Sequence, residues 1–137
     1  MSTAKWATPS AESSNLAGTA LNNLAGAASG RIAYDNSTNK DFYARVTVVL
    51  GSFDPGANKD IKLYRVGIRS AVDEDFTTTL ESYAAKVSAG AGVKTVIFPM
   101  VRIYPFSDAF RLENNTSNNF ANTGNAFYVQ PFNEAIA

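Results

Sequence analysis

Phe42-Tyr43-Ala44-Arg45-Val46-Thr47-Val48-Val49-Leu50 decides the fold class of this chain. Phe42, Ala44, Val46, Val48 and Leu50 recur at every second position, with Tyr43, Arg45 and Thr47 between them. Period two places the two sets on opposite faces of an extended strand, one apolar and one mixed. Asp54-Pro55-Gly56 follows, where proline presets φ and glycine admits positive φ, so the chain turns there.

The same signals recur on either side. Residues 60–69 read as the next strand, with Ile61 and Leu63 on one face and Lys62, Tyr64, Val66 and Ile68 on the other. Arg65 breaks the first set, so the apolar phase switches mid-strand and predicts a bulge or a passage from core to interface. Residues 32–34, 75–83, 93–100, 106–112 and 126–132 complete the series. Pro99 and Pro105 bracket a connection unsuited to a central ladder. Seven or eight short strands without an amphipathic helix predict an all-β antiparallel sandwich, jelly-roll-like.

The first thirty residues differ in kind. They are mostly Ala, Ser, Asn and Gly, with Trp6, Leu16, Leu21 and Leu24 as the large apolar groups. Gly18, Gly26 and Pro9 oppose a helix. Residues 1–19 therefore read as an extended N-terminal arm and 20–137 as the sandwich domain, with 19–25 a first strand or a turn leading into it. Ordering some twenty arm residues costs on the order of 20–40 kcal/mol, more than one Trp and three Leu offset by local folding. Two placements remain open: the arm docks on a neighbouring subunit with Trp6 as anchor, or it folds back on its own domain.

Composition narrows the chemistry. The chain has 137 residues, 12 Lys and Arg against 12 Asp and Glu, and neither His nor Cys. Disulfides, zinc–thiolate sites and any Ser/His/Asp triad are excluded, and net neutrality gives no general pull toward nucleic acid or an anionic membrane. No signal peptide or bilayer-length apolar run is visible, so synthesis in a cytoplasm is expected. Asp73-Glu74-Asp75 is the dense acidic cluster; it lacks the glycine and distal glutamate of an EF-hand loop and reads as a solvated turn. Asn36-Ser37-Thr38 and Asn114-Asn115-Thr116 match glycosylation acceptors but read as Asn-rich turns. No P-loop, nucleophile elbow or dinucleotide fingerprint is present, so no enzymatic activity and no cofactor are expected.

Several stretches carry a resemblance. They are 21–26 (Leu-Asn-Asn-Leu-Ala-Gly), 35–39 (Asp-Asn-Ser-Thr-Asn), 42–46, 50–53 and 61–66 (Ile-Lys-Leu-Tyr-Arg-Val), then Pro105-Phe106, 110–115 and the ending 124–134. Together they resemble a family of small tailed-bacteriophage virion proteins over roughly residues 20–134. The resemblance implies a capsid decoration or cement protein, made in the host bacterial cytoplasm and carried on the virion surface. It further implies a symmetric oligomer that clamps neighbouring major capsid protein subunits; a homotrimer is expected. The segment 73–83 and the apolar run 99–105 depart from that pattern, and the arm lies outside it. Trp6, Leu16, Leu21 and Leu24 are the expected arm-docking residues. Phe98, Met100, Ile103, Tyr104 and Phe106 form an apolar group that serves either an interface or the core. Other virion roles (tail, neck or head fibre) and a carbohydrate-binding sandwich are the rival readings; the last requires clustered surface aromatics beside acidic or amide groups.

Overall fold

The computed structural model describes residues 4–9, 11–13, 16, 19–38, 40–69, 72–73, 82–103 and 107–136. Among them there is no helix, and every strand pairing is antiparallel. The strands are β1 (Ala4–Trp6), β2 (Ile32–Asp35), β3 (Tyr43–Phe53), β4 (Lys59–Arg69) and β5 (Val72–Asp73). They continue as β6 (Ser82–Val87), β7 (Gly92–Arg102), β8 (Ser107–Asn115), β9 (Ala126–Phe132) and β10 (Glu134–Ile136). One sheet runs β2-β8-β4, with β6 and the short β5 along the far edge of β4; the other runs β7-β3-β9. The ribbon β1-β10 completes the set.

The alternation at 44–50 is what joins the sheets. Ala44, Val46, Val48 and Leu50 are all fully buried. They meet Val96, Phe98, Phe127 and Val129 from their own sheet, and Ile32, Ile61, Leu63, Phe110 and Leu112 from the facing one, in a single core. Phe110 and Phe127 bridge the sheets with ring centroids 5.6 Å apart. The architecture is that of a β-sandwich. Burial of this kind stabilises by roughly 1.5–3 kcal/mol per large apolar side chain, and with no cysteine in the chain the core carries the fold without a disulfide.

Three sequence expectations need correction. Phe42 does not join the inward row: it precedes β3 and is 61% exposed. Pro99 lies inside β7 rather than in a connection, which the ladder tolerates because β7 is the outermost strand of its sheet. The pairing also steps from Ala44↔Val101 to Val46↔Phe98, leaving one extra residue of β7 in a bulge at Pro99-Met100. The apolar switch in β4 occurs without a bulge in its ladder with β8, whose register is continuous from Asp60↔Asn115 to Gly67↔Asp108. Instead Val66 and Ala109, opposite each other on the outer phase, are fully buried. The strand expected at 75–83 is described only from Ser82, where β6 begins; 75–81 and the rest of the acidic cluster beyond Asp73 lie outside the described residues.

The amino-terminal segment follows the body's own edge. β1 pairs with β10, and the Ala7 N–H donates to the Asn133 carbonyl at 2.8 Å. Ser13 N–H and Leu16 N–H donate to the carbonyls of Val129 and Phe127, each at 2.8 Å. The strand edge of β9 is thereby covered. Residues 19–23 form turns, and Leu21 is fully buried in the core.

Candidate functional site

Outward-facing residues differ sharply between the two sheets. On the β2-β8-β4-β6 sheet the cross-strand rows are polar: Lys86 beside Asp60 and Asn115, Lys62 beside Glu113, Ser82 beside Tyr64 and Arg111. Tyr64 donates its hydroxyl to Glu113 at 2.7 Å, which, with burial and the carboxylate charge, pushes the phenol pKa up to about 12. On the β7-β3-β9 sheet the rows mix aromatic and aliphatic with polar groups: Tyr43 beside Phe132, Arg45 beside Gln130, Thr47 between Ile97 and Tyr128.

Among the described residues, the large exposed hydrophobic side chains belong to this second face or its end. Val93 (65%), Ile97 (49%) and Met100 (46%) stand along β7, Phe42 (61%) precedes β3, and Trp6 (55%) reaches over from β1. Strand geometry dictates the row, because Lys94, Val96 and Phe98 turn inward and their neighbours must turn out. The bulge at Pro99-Met100 then re-aims Met100 outward while Val101 returns to the core.

At the β1 end this face is concave. Trp6, Ala7 and Pro9 form one wall of a groove of about 420 Å³, Pro99 and Met100 the other, and Arg45, Gln130 and Phe132 the floor. Trp6 packs edge-on against Phe132 and Tyr43, at centroid distances of 5.4 and 6.1 Å. Tyr43 and Phe132 are themselves stacked at 5.6 Å. Arg45 Nη2 donates to Gln130 Oε1 at 2.7 Å, and Glu12 Oε2 lies 3.8 Å from the same guanidinium. The Glu12 pair is half exposed and contributes little to stability. Such a surface can stack, exclude water and donate hydrogen bonds. No group of three or more Asp or Glu gathers among the described residues, and the groove holds no nucleophile paired with a base.

The structure sorts the expected docking residues. Trp6 and Met100, assigned from sequence to two separate groups, line the same groove. Leu21, Phe98 and Ile103 are interior, at 0%, 3% and 3% exposure, so they build the sandwich and present nothing to a partner. Leu16 and Leu24 are half-buried against the core. Tyr104 and Phe106 lie outside the described residues. Arg45, Gln130, Phe132 and Phe42 carry no binding signal in the sequence; outward alternation in strands 43–53 and 126–132 marks the first three only as surface.

The Asn-rich turns have structural work. Asn114 is 1% exposed; its amide donates to the carbonyls of Leu24 and Asn118, and its Oδ1 accepts from both the backbone and hydroxyl of Thr116. Asn36 is likewise buried. No protein-family model matches the chain, and neither a curated protein nor a solved structure matches it.

Proposed function

We propose that this protein is a non-enzymatic structural component of a phage virion that decorates or cements the capsid by adhering across major capsid protein subunits. One observation carries the reading: the exposed large apolar side chains Trp6, Phe42, Val93, Ile97 and Met100 gather on the β7-β3-β9 face or its end, while the outer rows of the other sheet are polar. Exposed apolar side chains of this kind mark an interaction site, and Val93, Ile97 and Met100, with Thr95 between the first two, span about 23 Å along β7 at strand rise. Trp and Met at its end are residue types enriched in interface cores.

In this reading the arm serves differently from the sequence expectation. Its described residues do not reach outward; they seal β9 and supply the Trp6 wall, so the docking face is prearranged. Successive strands cross between sheets at β2–β3, β3–β4, β6–β7, β7–β8 and β8–β9, which supports the jelly-roll-like description. A closed homotrimer would repeat the face threefold on the virion surface and slow dissociation by multivalency. Other virion positions, at the tail, neck or head fibre, would use the same face.

A carbohydrate-binding role is the second reading, favoured by the cluster of Trp6, Tyr43 and Phe132 beside the Gln130 amide and the Arg45 guanidinium. Two assays separate them. Capsids lacking the protein are incubated with the wild type and with an Ile97→Glu/Met100→Glu variant, and glycan arrays are probed with the same pair. Decoration that the variant loses supports the adhesive reading. Array binding without decoration replaces it with the second.

A further inference from the structure

The β7-β3-β9 sheet has one sealed edge and one open edge. The arm covers β9, where the Ser13 and Leu16 N–H groups donate to the Val129 and Phe127 carbonyls. The opposite edge belongs to β7, and among the described residues its ladder runs to β3 alone. Among those residues, no backbone bond from another segment reaches 92–101. Beyond the bulge the edge is engaged again, since the Arg102 N–H donates to the Tyr83 hydroxyl at 3.0 Å.

The open stretch has defined ends and no charge. It runs from Gly92, where β7 begins, to Phe98, before the bulge at Pro99-Met100. Val93, Thr95 and Ile97 face outward and are exposed. Lys94 turns inward, and its Nζ donates to Ser88 Oγ at 3.4 Å and to the Ala89 carbonyl at 3.3 Å. An uncharged, β-branched edge with open backbone groups is a template for another strand. The stretch is also self-complementary. Its midpoint is Thr95, so a second copy laid antiparallel about a twofold axis there sets Val93 opposite the partner's Ile97. Thr95 then opposes the partner's Thr95, and Lys94 opposes the partner's Val96. β-Branched side chains meet along the outer row, and no like charges face each other.

We infer that β7 pairs antiparallel with β7 of a second copy of this chain, through residues 92–98 with the twofold axis at Thr95. Opposed positions share the same parity. The backbone groups that point away from β3 on one copy therefore face the same set on the other, as an antiparallel ladder requires. Two three-stranded sheets become one sheet of six strands. The sealed β9 edges stop further growth, so the assembly closes as a pair rather than a fibre. Val93 and Ile97 keep facing outward, and those of both copies form one apolar strip across the junction. A seven-residue strand pair buries less than the roughly 1,200 Å² of a standard interface, so the pairing is weak and concentration-dependent. It is independent of the capsid reading and distinct from its homotrimer, because it uses the edge of the sheet and leaves the face free.

Sedimentation velocity of the full chain, from micromolar to millimolar concentration, should show a monomer–dimer equilibrium. Thr95→Lys and Thr95→Glu each place like charges on the axis, and each should weaken dimerisation several-fold. An equimolar mixture of the two should restore it, because Lys then opposes Glu. Thiol cross-linking reads the same axis independently. The chain has no cysteine, and opposed Cα atoms of an antiparallel pair lie within disulfide reach. Thr95→Cys should therefore cross-link several-fold faster on oxidation than Thr38→Cys, exposed in the β2–β3 loop. A chain that stays monomeric at millimolar concentration, or forms a trimer, overturns the proposal. So does wild-type dimerisation by either charge variant, a mixture that is not rescued, or equal cross-linking of the two thiol variants. If a charge variant does not fold, the wild-type sedimentation and the cross-linking decide.

Discussion

The indole of Trp6 stands edge-on to the ring of Phe132, with centroids 5.4 Å apart and planes at 75°. These residues come from opposite ends of the chain. Their contact makes one wall and part of the floor of a groove that neither terminus forms alone, and it explains why a segment rich in Ala, Ser and Gly is ordered against the body. Backbone bonds to β9 and β10 set the path, and one large aromatic ring anchors it.

Replacing Trp6 by Ala removes two edge-on aromatic contacts, each worth about 0.5–1.5 kcal/mol. Because Trp6 is half exposed, the expected loss is about 1–2 kcal/mol of stability, read by urea denaturation. Proteolysis within residues 1–16 should rise at the same time. Cleavage and stability equal to the wild type would show that the ring does not anchor the arm.

Gly51 lies where the 121–125 loop crosses β3. A Cβ built there would stand 2.1 Å from the Thr123 carbonyl oxygen and 3.0 Å from Ala121 Cβ. Its N–H is held by Asn125 Oδ1 at 3.0 Å, so the strand has little freedom to retreat. Gly51→Ala should destabilise by about 1–3 kcal/mol or more through overpacking. Gly30→Ala, where nothing lies within 4 Å, should stay within about 0.5 kcal/mol of wild type. Equal melting temperatures for the two variants would contradict the close approach.

Asn114 ties β8 to Leu24 and to the 116–118 turn. Asn114→Ala removes one donor each from the Leu24 and Asn118 carbonyls, which keep the Phe120 N–H and the Thr116 hydroxyl, and leaves the Thr116 N–H without its acceptor, at about 1–3 kcal/mol. A chemical-denaturation midpoint close to wild type would show that water replaces the amide, and the hub would then be dispensable.

Tyr64 gives a pH signature. A raised phenol pKa means the folded chain holds that proton more tightly than the unfolded chain. The contribution is therefore complete below pH 10.0 and is lost as pH climbs toward about 12. In an absorbance titration, Tyr64→Phe should remove one late-titrating phenol. Superimposable titrations of variant and wild type would refute the assignment.

Much of the sandwich was legible because its strands alternate. The inward set from Ala44 to Leu50 reads directly from period two, and 126–132 matches β9 residue for residue. What could not be read rests on backbone or on distance. The edge of β9 attracts Ser13 and Leu16 through the carbonyls of Val129 and Phe127, groups that every residue carries. The bulge at Pro99-Met100 depends on how β7 meets β3, and it alone brings Met100 outward beside Trp6, 94 positions away in sequence. Leu21, Phe98 and Ile103 are as apolar as any interface residue; only packing shows that they are core.

The central claim is that the β7-β3-β9 face is the adhesive one, and electron microscopy of the intact particle at side-chain resolution tests it most directly. The expected map shows Ile97, Met100 and Trp6 covered by major capsid protein, with Lys62, Tyr64 and Glu113 facing solvent. A map in which the Lys62–Glu113 face is docked and the Ile97 face is bare would contradict it.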